Sequence, residues 1–317
     1  MRAAALVLIL SAAPVAAESF VLQWPLDCTL GQDCFIEDYV DDDPAPGQQR
    51  DFACGLNSRD AHKGTDLALI SFDLMDRGVA VRAAAPGTVL RLRDSMADDR
   101  LMTGVTDQNA CGNAVLIDHG DGWQTLSCHM KRGSVAVTPG QTVATGDLLG
   151  EVGLSGQTNH PHLHLTVLHN GTEVDPFAPD AALPCGPQQV TLWADPPPYT
   201  ATGLVTAGFS AKVPELAEVT SGTARRDSLG ATEPLVVYGH VGHGEPGDVL
   251  VLSARGPDGA EVFRERMVLE DPQVSLMRAF GRRAPPQGWA MGEYLGEALL
   301  TRDGVVIAHR HAHVTVR

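Results

Sequence analysis

From Trp24 to Leu168, apolar and polar residues alternate in short runs broken by turn residues, the period-two pattern of half-buried strands. The runs predict strands over Gly78–Ala85, Gly87–Leu92, Asn113–Asp118, Trp123–His129, Val135–Val137, Leu148–Val152 and His162–Leu168. Ala85-Pro86-Gly87 separates the first two, and His119-Gly120-Asp121-Gly122 marks a hairpin between the third and fourth. Helical spacing is confined to Phe72–Arg77. Asp41–Ala61 and Asp94–Gln108 carry neither period and predict long loops, the first opening on the solvated triplet Asp41-Asp42-Asp43.

Residues 186–201, with Pro196-Pro197-Pro198, read as a connector. A second strand pattern follows over Pro234–Gly239, Val249–Ala254, Glu261–Val268, Val274–Phe280, Gly292–Thr301 and Val305–Val316. Evenly spaced strands without helices predict a small β-sandwich.

Composition narrows the function classes. The 317 residues are 44% hydrophobic and 20% charged, with 33 glycines and 21 prolines, so a core is available and wholesale disorder is excluded. A formal charge of −16 and a pI near 5.0 argue against nucleic-acid binding, which needs a basic footprint, and against adhesion to anionic lipid.

The first residues add a compartment. Met1-Arg2, the small apolar run Ala3–Val15 and the small residues of Val15-Ala16-Ala17 predict a secretory leader cleaved after Ala17. The run is too short for a membrane span, and no Cys follows the cleavage point to carry a lipid anchor. Export to a periplasmic or extracellular space is expected, and loss of Arg2 takes the charge from −16 to −17. All six cysteines lie before residue 190 and include no C-x₂-C pair, which favours disulfides over thiolate zinc. Six cysteines allow 15 connectivities. The pairing expected is Cys28–Cys34 across a short loop, Cys111–Cys128 across the hairpin and Cys54–Cys185 by elimination.

The candidate chemistry lies in the histidines. His162 and His164, two apart in a strand, point to one face and can share a metal site. His62-Lys63-Gly64-Thr65-Asp66 offers an imidazole and a carboxylate at a turn entering a strand, both zinc-compatible. His129 ends the strand Trp123–His129. His309, His311 and His313 also share one strand face, opposite apolar Val306, Ala308, Ala312 and Val314, and read as a solvent-facing row.

Taken together, His62-x-x-x-Asp66, His129 after a hairpin and His162-x-His164 resemble, in this order, the M23 (lysostaphin/LytM-type) zinc metallopeptidases that cleave peptidoglycan cross-links. Ala85-Pro86-Gly87-Thr88-Val89, Gly112-Asn113, Ile117-Asp118-His119-Gly120 and Pro139-Gly140-Gln141 extend the likeness over roughly residues 59–176. The family usually continues H-x-H with an aromatic and a Glu, where this chain has Leu165-Thr166.

The resemblance implies one zinc ion held by His62, Asp66 and His164, with His129 and His162 flanking the water, one as general base and the other as stabiliser, and Asn113 at the substrate backbone. His160 is expected to be turned away by Pro161. The implied fold is mainly β: a leader (1–17), an antiparallel metallopeptidase domain (18–188), a linker (189–201) and an Ig-like β-sandwich (202–317) of unknown partner. The implied function is an exported zinc endopeptidase acting on peptidoglycan peptides. The alternatives are a non-catalytic wall-binding or hydrolase-regulating module, or a peptidase for exported proteins.

Overall fold

The structure, a computed structural model, describes residues 20–180, 184–186 and 190–317. The leader expected over residues 1–17 and the boundary expected at residue 188 lie outside the described residues.

The N-terminal half contains β1 (Cys34–Asp38), β2 (Thr65–Leu69), α1 (Phe72–Arg77), β3 (Ala80–Arg82), β4 (Gly87–Arg93) and β5 (Asn113–Gly120). It continues with β6 (Trp123–Met130), β7 (Thr142–Val143), β8 (Leu148–Glu151), β9 (His162–His169) and β10 (Thr172–Val174). The main sheet runs β1-β2-β9-β6-β5-β4-β7, all neighbours antiparallel, with β10 beside β9 and a separate β3-β8 pair. Leu67, Leu69, Val115, Ile117 and Leu163 bury one face in a core closed by Val81, Leu149 and Val152. Each fully buried aliphatic side chain of this kind contributes about 1.5–3 kcal/mol.

The C-terminal half contains β11 (Gly203–Ser210), α2 (Leu216–Thr220), β12 (Ser228–Leu229), β13 (Leu235–Gly244) and β14 (Val249–Arg255). β15 (Glu261–Val268), β16 (Gln273–Arg282), β17 (Gly292–Arg302) and β18 (Val305–Val316) complete it. A β11-β13-β16 sheet and a β12-β18-β17-β14-β15 sheet share one core that includes Phe209, Val237, Leu252, Phe263, Ala298 and Val314.

Most of the predicted strands form within one to five residues of their expected ends, and α1 spans the predicted residues. Several expectations do not hold. Val135–Val137 is extended but forms no strand; the Ala136 N–H donates to the Leu149 carbonyl at 2.9 Å, and Val137 fills the core. The C-terminal half is not helix-free: the Glu215 side chain and Glu218 make a reciprocal capping box that starts α2. β18 is no solvent-facing row, because His309 and His311 are only 4% and 7% exposed and pack on the N-terminal half.

Disulfides join Cys28 to Cys34, Cys54 to Cys185 and Cys111 to Cys128. The Cys54–Cys185 bond closes the longest loop and so removes the most conformational freedom from the unfolded chain. Beside it, Tyr39, Phe52, Phe177 and Tyr199 form an aromatic cluster with ring centroids about 5–6 Å apart.

Asp175 borders that cluster. Burial, aided by the nearby charges of Asp51 and Asp42, pushes its carboxyl up to about 7, although the Phe177 and Ala178 N–H groups favour the anion. A carboxyl raised in the folded chain binds a proton that the unfolded chain releases near pH 4, so stability falls as pH rises from about 4 to about 7. Asp175→Asn, which keeps a carbonyl for Phe177 N–H, is expected to raise Tm by about 2–4 °C at pH 8 and to leave it unchanged at pH 4. Calorimetric scans at the two pH values check this.

Candidate active site

The register of three strands assembles the site. Asp66 on β2 lies opposite His164 on β9, Ala68 opposite His162, and Cys128 on β6 opposite His164. Directly opposed residues project from the same face of a sheet. Leu163, Leu165 and Val167 therefore turn into the interior, while His162, His164 and Thr166 share the other face with Asp66. His62 reaches that face from the turn that leads into β2.

The donor atoms converge. His62 Nε2 lies 3.2 Å from Asp66 Oδ2 and 3.2 Å from His164 Nδ1, and His164 Nδ1 lies 2.7 Å from Asp66 Oδ1. One ligand-type atom from each of the three residues falls within 4.8 Å of the others. The outer nitrogens are spoken for: His62 Nδ1–H donates to the Tyr39 carbonyl at 2.7 Å, and His164 Nε2 contacts Thr166 Oγ1 at 3.0 Å. Such outer contacts fix the orientation of imidazoles that bind metal.

Two more imidazoles complete the face. His162 Nδ1–H donates to the His160 carbonyl at 2.9 Å, which leaves Nε2 buried, unpartnered and 3.5 Å from Asp66 Oδ1. His129 Nδ1–H donates to the Ser155 carbonyl at 2.8 Å, and its ring centroid lies 4.7 Å from that of His162. His129 also holds a left-handed backbone, φ 60°, uncommon outside glycine and frequent at functional sites. The Cys111–Cys128 bond and the His129 N–H to Cys111 carbonyl bond at 2.9 Å secure this conformation.

Electrostatics centre on Asp66, which has no solvent exposure. Burial alone would raise its carboxyl, but the charges of His62, His162, Arg59 and His164 outweigh it and hold the group well below the usual range. Burial lowers His62, yet the Asp66 charge and hydrogen bond raise it overall, whereas His164 stays lowered by burial. Burial and the neighbouring charges of His162 and His164 keep His129 well below its ordinary value and therefore neutral at pH 7.

Arg59 had no signal in the sequence. Its guanidinium bonds Asp66 Oδ2, stands 3.3 Å from His62 Nε2 and reaches Asp38 Oδ2 at 2.6 Å. The corner framed by the three donors thus attracts a positive group. An open groove of about 650 Å³ runs over it, lined in part by Arg59, Lys63, His129, Gln157, Thr166 and Glu173.

Asn113 does not lie in this groove, which corrects its expected place at the substrate backbone. It is 0% exposed, and its side chain donates to the carbonyls of Met96 and Met130 and accepts from Met96 N–H. Asn113 anchors the loop before it and has no polar atom to spare.

Gly64 is required by close approach. A Cβ there would stand 2.6 Å from His164 Nε2 and 2.8 Å from the Leu165 carbonyl. Gly64→Ala is expected to displace His164 and to weaken any affinity of the three-donor corner for added Zn²⁺ by about 10–100-fold with the fold retained. A competition titration against a chromophoric chelator reads the change, and unaltered affinity contradicts it.

Residues 60–176 match the model of peptidase family M23. The cell division protein DipM of Caulobacter vibrioides is 35% identical over 33% of this chain and 17% of its own length. The DD-carboxypeptidase/endopeptidase Mpg of Neisseria meningitidis is 32% identical over 39% of this chain and 23% of its own length. The peptidoglycan DD-endopeptidase ShyA of Vibrio cholerae is 29% identical over 36% of this chain and 22% of its own length. The chain thus spans less than a quarter of these relatives, and the likeness falls on the segment that carries His62, Asp66, His129, His162 and His164. Residues 60–176 form a peptidase family M23 domain.

Proposed function

We propose that this protein is an exported, zinc-dependent endopeptidase that hydrolyses peptide bonds in peptidoglycan cross-links. The observation that carries the reading is the convergence of His62 Nε2, Asp66 and His164 Nδ1 on one corner, with the Nε2 of His162 buried and unpartnered beside it. Two imidazoles and a carboxylate suit zinc, and their outer hydrogen bonds to Tyr39 and Thr166 suit a ligand role. Three protein ligands leave a position for water, the arrangement of catalytic sites. When bound, zinc supplies Lewis acidity to the scissile carbonyl and makes water a stronger acid.

The chain's own residues do the remaining work. His129, neutral and tethered through Nδ1–H, presents Nε2 as the acceptor for the proton of the attacking water. His162, whose Nδ1–H is taken by the His160 carbonyl, stabilises the oxygen that gains negative charge in its imidazolium form, where Nε2–H beside Asp66 Oδ1 is the donor. The water oxygen forms the new C–O bond, the C–N bond breaks, and the proton held by His129 passes to the leaving amine. Arg59 and Lys63 line the groove and suit carboxyl groups of a peptide. The peptidoglycan substrate is supported by the activities for which the relatives are named, and export by the leader pattern and three disulfides.

Incubation of zinc-loaded protein with purified sacculi, with released muropeptides resolved by mass, tests the proposal. Wild type is expected to release cross-link fragments and to stop on chelation. His129→Ala is expected to lose about 10²–10⁴-fold in rate at unchanged zinc content, and His164→Ala to lose both rate and zinc. Equal release by wild type and His164→Ala sinks the mechanism. Cleavage of exported proteins but not of sacculi replaces the substrate.

A further inference from the structure

A second histidine cluster lies between the two halves of the molecule, apart from the groove. His309 and His311 project from the outer face of the β18 sheet and meet His160, which precedes β9 by two residues. Ring centroids stand 3.9 Å apart for His160–His311, 4.2 Å for His309–His311 and 5.7 Å for His160–His309. The three are 2%, 4% and 7% exposed in sequence order, and Phe72 and Phe35 pack against them. One ring nitrogen from each falls within 4.8 Å of the other two.

The hydrogen-bond accounting of this nest does not close. His160 Nε2–H donates to the Leu69 carbonyl at 2.5 Å, which leaves its Nδ1 as a buried lone pair with no partner. Neither ring nitrogen of His309 or of His311 makes a hydrogen bond of normal geometry. The nearby polar groups are the Ile70 backbone, which acts on His309, and Glu297, whose Oε1 stands 3.5 Å from His311 Nε2. Five buried, unpartnered nitrogens in one cluster are costly, because buried polar atoms are nearly always paired.

We propose that His160, His309 and His311 form a second, structural site for a divalent transition metal such as zinc, with Glu297 as the adjacent carboxylate. The donor set is imidazole with one carboxylate and no thiolate, which suits zinc. His160 already has the backbone tether typical of a metal-bound histidine. Glu297 is held by Ser253 Oγ–H at 2.7 Å, and Arg264 Nη2 lies 3.9 Å from it. The site has a structural consequence. The His160 carbonyl accepts from His162 Nδ1–H, so an ion on the His160 ring would pin the C-terminal sheets to the strand that carries His162 and His164.

The test uses the full chain carrying His62→Ala and His164→Ala, which removes the groove site and leaves this cluster intact. After chelator stripping, Zn²⁺ is titrated in, and bound metal and Tm are measured. One equivalent of zinc and a rise of about 5 °C or more are expected. Adding His309→Leu and His311→Leu is expected to abolish both responses while leaving the metal-free Tm unchanged or higher, because apolar residues replace unpartnered nitrogens. No zinc in the first variant, or zinc retained in the second, overturns the proposal. Should the second variant fail to fold, X-ray absorption of the zinc-loaded first variant decides: three imidazoles around the ion support the site, and two or fewer overturn it. The groove site is absent throughout, so the outcome is separate from that of the proposed hydrolase.

Discussion

A carboxylate with no access to water survives as an anion only where positive charge and donors surround it. Asp66 is such a group, and the site is the solution to its burial. His62, His162, His164 and Arg59 press on its two oxygens, and each of the first two imidazoles is held from behind by a backbone carbonyl. The arrangement exists because β2 and β9 pair with Asp66 opposite His164, a register that a slip of one residue would turn inside out.

The compensation reaches beyond the three-donor corner. Arg59 bridges Asp66 to Asp38, and Arg310 on β18 grips Asp38 at 2.6 Å, Glu37 at 2.7 Å and the Leu204 carbonyl at 2.8 Å. Two guanidinium groups and three carboxylates thus alternate from the C-terminal sheets to the histidine-lined face. For the buried Arg310–Asp38 pair, removing one partner typically costs about 3–5 kcal/mol, since it strands the other charge. The C-terminal half is therefore part of the electrostatic environment of Asp66, although it contributes nothing to the three-donor corner itself.

Legibility in the sequence followed the range of the cause. Period-two alternation fixed the face of His162 and His164, and the Asp-Gly turn fixed the β5–β6 hairpin, because both are local. β1 and β11 gave no clear alternation and form through pairing with strands distant in the chain, whereas β10 closes a tight hairpin on β9 through Asn170-Gly171. The histidine row on β18 was expected to meet solvent, yet an outer sheet face can equally meet another part of the same molecule, which no strand pattern reveals. Asn113 shared a family motif but is consumed by the Met96 loop, and Arg59 acts through a fold that brings Asp38 and Asp66 together.

How sharply the histidine-lined face is set depends on the least regular of its residues. His129, one residue before the end of β6, holds φ 60°, a conformation whose cost of about 1–3 kcal/mol must be met by its surroundings. The disulfide at Cys128, the Cys111 carbonyl and the Ser155 carbonyl provide that support from three directions, and Ser155 Oγ–H in turn donates to the Met130 carbonyl beyond the turn. Thr166, where the family has an acidic residue, supplies the hydroxyl beside His164 Nε2. A neutral contact leaves the ring less basic than a carboxylate would, and it adds no further negative charge beside Asp66. In a site already crowded by one buried anion, that exchange reduces the positive charge the rest of the face has to provide.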